Sequence, residues 1–193
     1  FPYMIYPVLL GRETSLRAAT FAVDRHKFIF LAAQRNASIE EPTKDDIYWD
    51  GTVAKIIQIM KLPNGLMKIL VDGVVQGSIR SIVENREFME AEVGTTNLPY
   101  EMTPEIDALI RHVATLFSEY VHLNRNIPSE VLVAFENIKN PRRKLFYVAA
   151  NITQSVEVKQ KVLSIPTLRE QDFELARILT GELDVLKIEK DID

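Results

Sequence analysis

Near residue 97 the apolar periodicity of this 193-residue chain changes from alternation to the three-and-four spacing of a helix, and no other feature narrows the fold as much. Before that point the apolar residues alternate or run in short blocks, and six of the seven glycines fall there, at 11, 51, 65, 73, 77 and 94. Glycines between short apolar blocks read as strand and turn punctuation. After "TTNLPYEMTPE" one stripe carries Ile106, Leu109, Ile110, Val113, Leu116, Phe117, Tyr120 and Val121, which predicts an amphipathic helix. The expected fold is therefore α+β: a β-rich unit over residues 1–97 and an α-helical bundle over residues 98–193 that ends in a long helix.

Within the first half, "GTVAKIIQIMKL" and "GLMKILVDG" flank Pro63, Asn64 and Gly65, where Asn-Gly provides the left-handed backbone of a hairpin reversal. Alternation puts Met67, Ile69 and Val71 on one face of the second arm and Leu66, Lys68 and Leu70 on the other. "KFIFLAAQ" predicts a strand covered on both faces, "VVQGSIRSIV" and "REFMEAEV" two further strands, and residues 14–24 a short helix capped by Thr14 or Ser15. In the second half Thr103 precedes Pro104, Asn140 precedes Pro141, and Ser129 and Ser155 each precede an apolar-periodic run, so four helix starts are marked. Thr167 with Glu170 has capping-box spacing and opens the last helix, in which Gly181 costs about 1 kcal/mol relative to alanine.

Composition narrows the function. A net charge of −4 argues against nucleic acid as a partner, because phosphate binding leaves a basic footprint. The absence of cysteine excludes disulfides and thiolate metal sites and fits a reducing compartment, the cytoplasm. No apolar run approaches the roughly 20 residues of a membrane helix, and "FPYMIYPVLLGRE" has neither the basic region nor the cleavage site of a signal peptide. A phenylalanine start and the charged helical ending "VLKIEKDID" predict a piece of a longer polypeptide.

No catalytic constellation emerges. Of the three histidines, His112 and His122 on one helix stand about 15 Å apart along its axis, too far to share an ion, and His26 is isolated. Neither G-x-x-x-x-G-K-[ST] nor G-x-G-x-x-G occurs, and Gly77-Ser78 lacks the glycines of a nucleophile elbow. Glu40, Glu41, Asp45 and Asp46 bracket Pro42-Thr43-Lys44 and read as solvated loop charge rather than a metal site. The expectation is no catalytic residue, no metal and no cofactor. Arg142, Arg143 and Lys144 stand in a helix's first turn, where the macrodipole opposes positive charge; a solvated turn or an acidic neighbour would account for them. The aromatic and methionine-rich "FPYMIYP" is either core or an adaptable apolar surface on an irregular segment.

Four blocks, in order, carry a resemblance. "FPYMIYPVLLGRETSLRA" is similar to F-P-x-M-x-x-P-x-x-x-G-R-E-x-S-x-x-A; "DIYWDGTVAKI" to D-[IL]-Y-x-x-G-T-V-A; "KLPNGLMKILVDG" to K-L-P-[DN]-G followed by K-[VI]-L-V-x-G; and "ELDVLKIEKDI" to E-[IL]-x-[VI]-L-x-[LI]-E-x-x-I. Together they resemble the N-terminal domain of the Lon family of ATP-dependent proteases over essentially the whole chain. Departures at Tyr3, Gln76 and Val158 spare the turn glycines. The resemblance implies a PUA-like β subdomain and a helical subdomain that together receive unfolded or degron-bearing substrates and support a hexamer. It also implies an ATPase using ATP and Mg2+ and a Ser-Lys protease dyad, both downstream of these residues. The expected contact residues are Tyr3, Met4, Tyr6, Met60, Leu62, Leu66 and Met67. The alternatives are a mainly structural inter-subunit and gating module, and a nucleic-acid-binding module, which the charge disfavours.

Overall fold

β1 (Ile5–Leu10), helix α1 (Glu13–Val23), β2 (Phe28–Leu31), β3 (Asp50–Lys61), β4 (Met67–Glu84) and β5 (Met89–Thr96) form one of two compact units, residues 1–97, in the computed structural model, which describes residues 1–85 and 87–192. Every strand pairing is antiparallel, in the order β1-β4-β3-β2, and β5 joins the second half of β4 beyond the end of β1. The β3–β4 reversal is the one the sequence predicts. Asn64 and Gly65 take φ of 72° and 76°, the region that asparagine and glycine tolerate best, and Leu62 N–H donates to Leu66 O at 2.9 Å.

Four local expectations are corrected. "VVQGSIRSIV" is not a separate strand but the continuation of β4, held on one edge by β1 along its first half and by β5 along its second. Gly77 marks a close approach there, not a turn: a Cβ would lie 2.6 Å from Val93 Cγ1 and 3.1 Å from the Phe30 ring. β2 is an edge strand with Phe28 exposed, so the apolar block did not mean cover on both faces. α1 begins at Glu13 after Arg12 without a side-chain cap, leaving Thr14 and Ser15 inside the helix. β5 starts at Met89, while Phe88 turns inward against Phe21 with ring centroids 5.1 Å apart. Arg86, the first residue of the expected "REFMEAEV" strand, and Asp193 of "VLKIEKDID" lie outside the described residues.

α1 covers one face of the sheet. Its Ala19 and Ala22 carry so little side chain that the helix seats closely on Ala54 and Ile56 of β3 and on Met67, Ile69 and Val71 of β4, with Tyr6, Val8 and Leu10 of β1 beside them. The other face has no helix of this unit against it.

The second unit, residues 98–193, holds α2 (Pro104–Leu123), α3 (Glu130–Asn137), α4 (Pro141–Asn151), α5 (Val156–Ser164) and α6 (Leu168–Ile192). Four of its five starts are capped as the sequence predicts: Thr103 accepts from Ile106 N, Asn140 from Arg142 N and Arg143 N, Ser155 from Val158 N, and Thr167 from Glu170 N. Ser129 is already helical and makes no side-chain cap bond. Phe117, Tyr120, Phe146, Leu175 and Leu179 fill the core, and the Tyr120 hydroxyl, wholly buried, accepts from Thr153 N and Asn124 Nδ2. Arg169 pairs with Glu105 and Lys187 with Glu119, so α2 and α6 run in the same direction.

The basic first turn of α4 is not solvated as a whole. Arg142 is buried, donates to Leu98 O at 2.7 Å and lies over the Tyr100 ring, while Lys144 lies over the Phe135 ring at 4.7 Å. A carbonyl and two aromatic faces offset the unfavourable dipole.

Candidate binding surface

The sheet face opposite α1 is where the first unit leaves its large apolar side chains in solvent. Alternation along β1 sends Tyr6, Val8 and Leu10 inward and Ile5, Pro7 and Leu9 outward; register carries the outward set across to Asp72, Leu70 and Lys68 of β4. In β3 a bulge decides the matter. Ala54 and Ile56 face inward, and unbroken alternation would turn Gln58 and Met60 inward with them. The register slips between Ile56 and Gln58, leaving Ile57 as the extra residue; Ile59 then packs on the core and Met60 faces out opposite Lys68. Phe28 of β2 lies opposite Lys55 on the same face.

Exposure follows that geometry: Ile5 is 63%, Leu9 61%, Met60 50%, Ile57 47% and Phe28 42% exposed. Single exposed leucines are ordinary in proteins, but register gathers these on one sheet face around Pro7 and Leu70, and apolar surface collected on one face of a folded protein marks an interaction site.

Of the seven expected contact residues, the strand register puts Met60 on this face. Met67 is a correction: it is 6% exposed and belongs to the core under α1. Tyr6 also points inward against that core, and burial raises the pKa of its hydroxyl. Tyr3 and Met4 are half-buried where the chain enters β1, with Tyr3 N–H donating to Gly73 O and Gly73 N–H to Met4 O. Leu62 and Leu66 are half-buried at the hairpin end, Leu66 packing on Gly11. "FPYMIYP" is not irregular throughout, since Ile5 already starts β1 and Pro2 is buried. Ile5, Leu9, Ile57, Leu70 and Phe28 were missed. One signal could have found them: β1 is apolar on both faces, and the first half carries one helix, enough to cover a single face.

The polar clusters are structural. Asp46 accepts from the Thr43 backbone N–H and its hydroxyl, which lowers the pKa of the carboxyl, the backbone bond first. The Ser78 hydroxyl donates to Asp50 across the β3–β4 pair. His26 Nδ1 accepts from Phe28 N–H, and His122 Nδ1 donates to Ser118 O. Among the described residues no three histidine, aspartate or glutamate side chains gather as a metal site, and no helix is long and apolar enough to cross a membrane.

An antiparallel sheet roofed on one side only, joined in sequence to a helical bundle, defines an α+β module that presents an apolar sheet face. The chain belongs to the family described as the ATP-dependent protease La (LON) substrate-binding domain, which matches residues 1–180. It is 38% identical over 192 residues to the Lon protease of Solibacter usitatus (strain Ellin6076), covering 100% of this chain and 24% of that protein. The Lon protease of Escherichia coli (strain K12) is 35% identical over 192 residues with the same coverage. The chain thus spans about a quarter of the length of these relatives. Among solved structures the fold is shared with the N-terminal domain of Mycobacterium avium complex Lon protease, with a TM-score of 0.72 at 19% identity over 95% of this chain and 91% of that one. A Lon N-terminal domain protein from Xanthomonas campestris aligns with a TM-score of 0.61 at 11% identity, over 90% of this chain and 89% of that one.

Proposed function

We propose that this chain receives unfolded or degron-bearing polypeptides for an ATP-dependent protease, through the sheet face that carries Ile5, Leu9 and Met60, and breaks no bond itself. The observation behind this reading is that these three large apolar side chains stay half or more exposed on one face. Native proteins hide such groups and unfolded chains display them. A bare apolar face therefore separates the two by burial, at about 25 cal/mol per Å2, with little demand on sequence. Nucleotide hydrolysis with Mg2+ and peptide cleavage are assigned to other parts of the protein, in keeping with a sequence that has no phosphate-loop pattern. Fluorescence anisotropy with one labelled model protein, native or permanently unfolded, tests the reading. The expected result is saturable binding of the unfolded form alone; equal binding of both forms, or of neither, would overturn it.

A second reading, support of a hexamer, is favoured by α6. Val185, Ile188 and Ile192 recur at heptad spacing on its last turns and are each more than half exposed. Self-association in sedimentation velocity that Ile188→Asp abolishes is the outcome expected for that role; a monomer at all concentrations would sink it.

A further inference from the structure

Charge on the outer sheet face is unbalanced. Register puts Lys68 of β4 directly between Leu9 of β1 and Met60 of β3, and puts Lys55 of β3 between Phe28 of β2 and Asp72 of β4. Both lysines are exposed, and neither enters an ion pair among the described residues. Among the described residues Asp72 is the carboxylate that the register adds to this face; it stands directly opposite Lys55 and partly offsets that charge, which leaves Lys68 as the uncompensated one. It sits four residues from Lys68, about 13 Å along the strand and beyond a Debye length at physiological salt, so it does little to neutralise that ammonium group.

We infer that this face selects among apolar polypeptide segments by their flanking charge, taking those with aspartate or glutamate beside the apolar residues over those flanked by lysine or arginine. The inference rests on the proposed function and deepens it. A segment lying across Leu9 and Met60 must pass over Lys68, and one reaching Phe28 must pass Lys55. Covering the apolar ground on either side excludes water and lowers the local dielectric, which strengthens a pair with an incoming carboxylate and the repulsion of an incoming ammonium alike.

Three synthetic peptides sharing one apolar core and flanked by glutamate, glutamine or lysine, titrated against the chain at low and at high salt, test this. The expected order is glutamate, glutamine, lysine from tightest to weakest, with about a fivefold gap between the extremes at low salt that closes at high salt. The Lys55→Glu/Lys68→Glu variant should invert the order, and Lys55→Gln/Lys68→Gln should erase it; both lysines face solvent, so circular dichroism should find both variants folded. Equal affinity for all three peptides, or a preference the variants leave intact, would overturn the inference while sparing the binding surface. Failure of even the glutamine peptide to bind would remove the surface and the inference together.

Discussion

The Leu9→Thr/Met60→Thr variant should bind an unfolded polypeptide some thirtyfold more weakly than the wild type and melt at the same temperature. Both side chains point away from the α1 core, and threonine suits a strand, so the folded state loses no core packing. The bound state loses most of two large apolar contacts. Full burial of leucine or methionine is worth about 1.5–3 kcal/mol, and each starts roughly half exposed, so together they forfeit about 2 kcal/mol, which is close to thirtyfold in Kd. Met67→Thr supplies the contrast. Its chemistry matches that of Met60→Thr, but the side chain lies in the core, so it should cost about 2–4 kcal/mol of stability and leave the affinity of the remaining folded protein unchanged. If Leu9 and Met60 were both bystanders, titration of the double variant would give the wild-type Kd, and the outer face would cease to be the receiving surface.

Met60 and Met67 also show how far the sequence could be read. Helix starts were legible because a cap is local: Thr103, Asn140, Ser155 and Thr167 each bond a backbone N–H two or three residues on. The hairpin tip was legible for the same reason, since Asn64 and Gly65 carry their own conformational preference. Which methionine faces water is not local. It depends on the face α1 happens to cover and on the one-residue slip at Ile57 that reverses the phase of the rest of β3. β2 failed for a related reason: an apolar block says the strand is able to be buried, and only the packing says that Ile29 and Leu31 meet the core while Phe28 on the other face stays exposed. Arg142 was opaque because its partners, Leu98 O and the Tyr100 ring, lie 44 and 42 residues away in a segment without periodicity. The family motifs fixed the topology but were silent on exposure, since glycines and prolines that shape turns dominate them. Candidate contacts named for being methionine, tyrosine or leucine therefore mix core with surface.

Asp172 should make the helical unit lose stability as pH rises, the reverse of ordinary acid sensitivity. This residue of α6 is 2% exposed, Oδ2 has no hydrogen-bond partner among the described residues, and burial pushes its carboxyl from 3.8 up to about 7. The folded state therefore holds the proton more tightly than the unfolded chain does. Below about pH 3.8 both states are protonated and the group costs nothing on this account; as pH rises from there the unfolded chain ionises freely while the folded one resists, and above about 7 the penalty is complete. Three pKa units correspond to about 4 kcal/mol, a large share of a domain stability of about 5–15 kcal/mol. Asp172→Asn keeps the shape and removes the ionisation. In urea titrations followed by helical circular dichroism the variant should match the wild type near about pH 4 and exceed it by up to about 4 kcal/mol near pH 8. Asp172→Leu should also remove the pH dependence, since it leaves no polar atom to satisfy. Parallel stability curves for the wild type and the asparagine variant across that range would mean that the carboxylate finds a partner when it ionises, and the buried, unpaired acid would no longer describe α6.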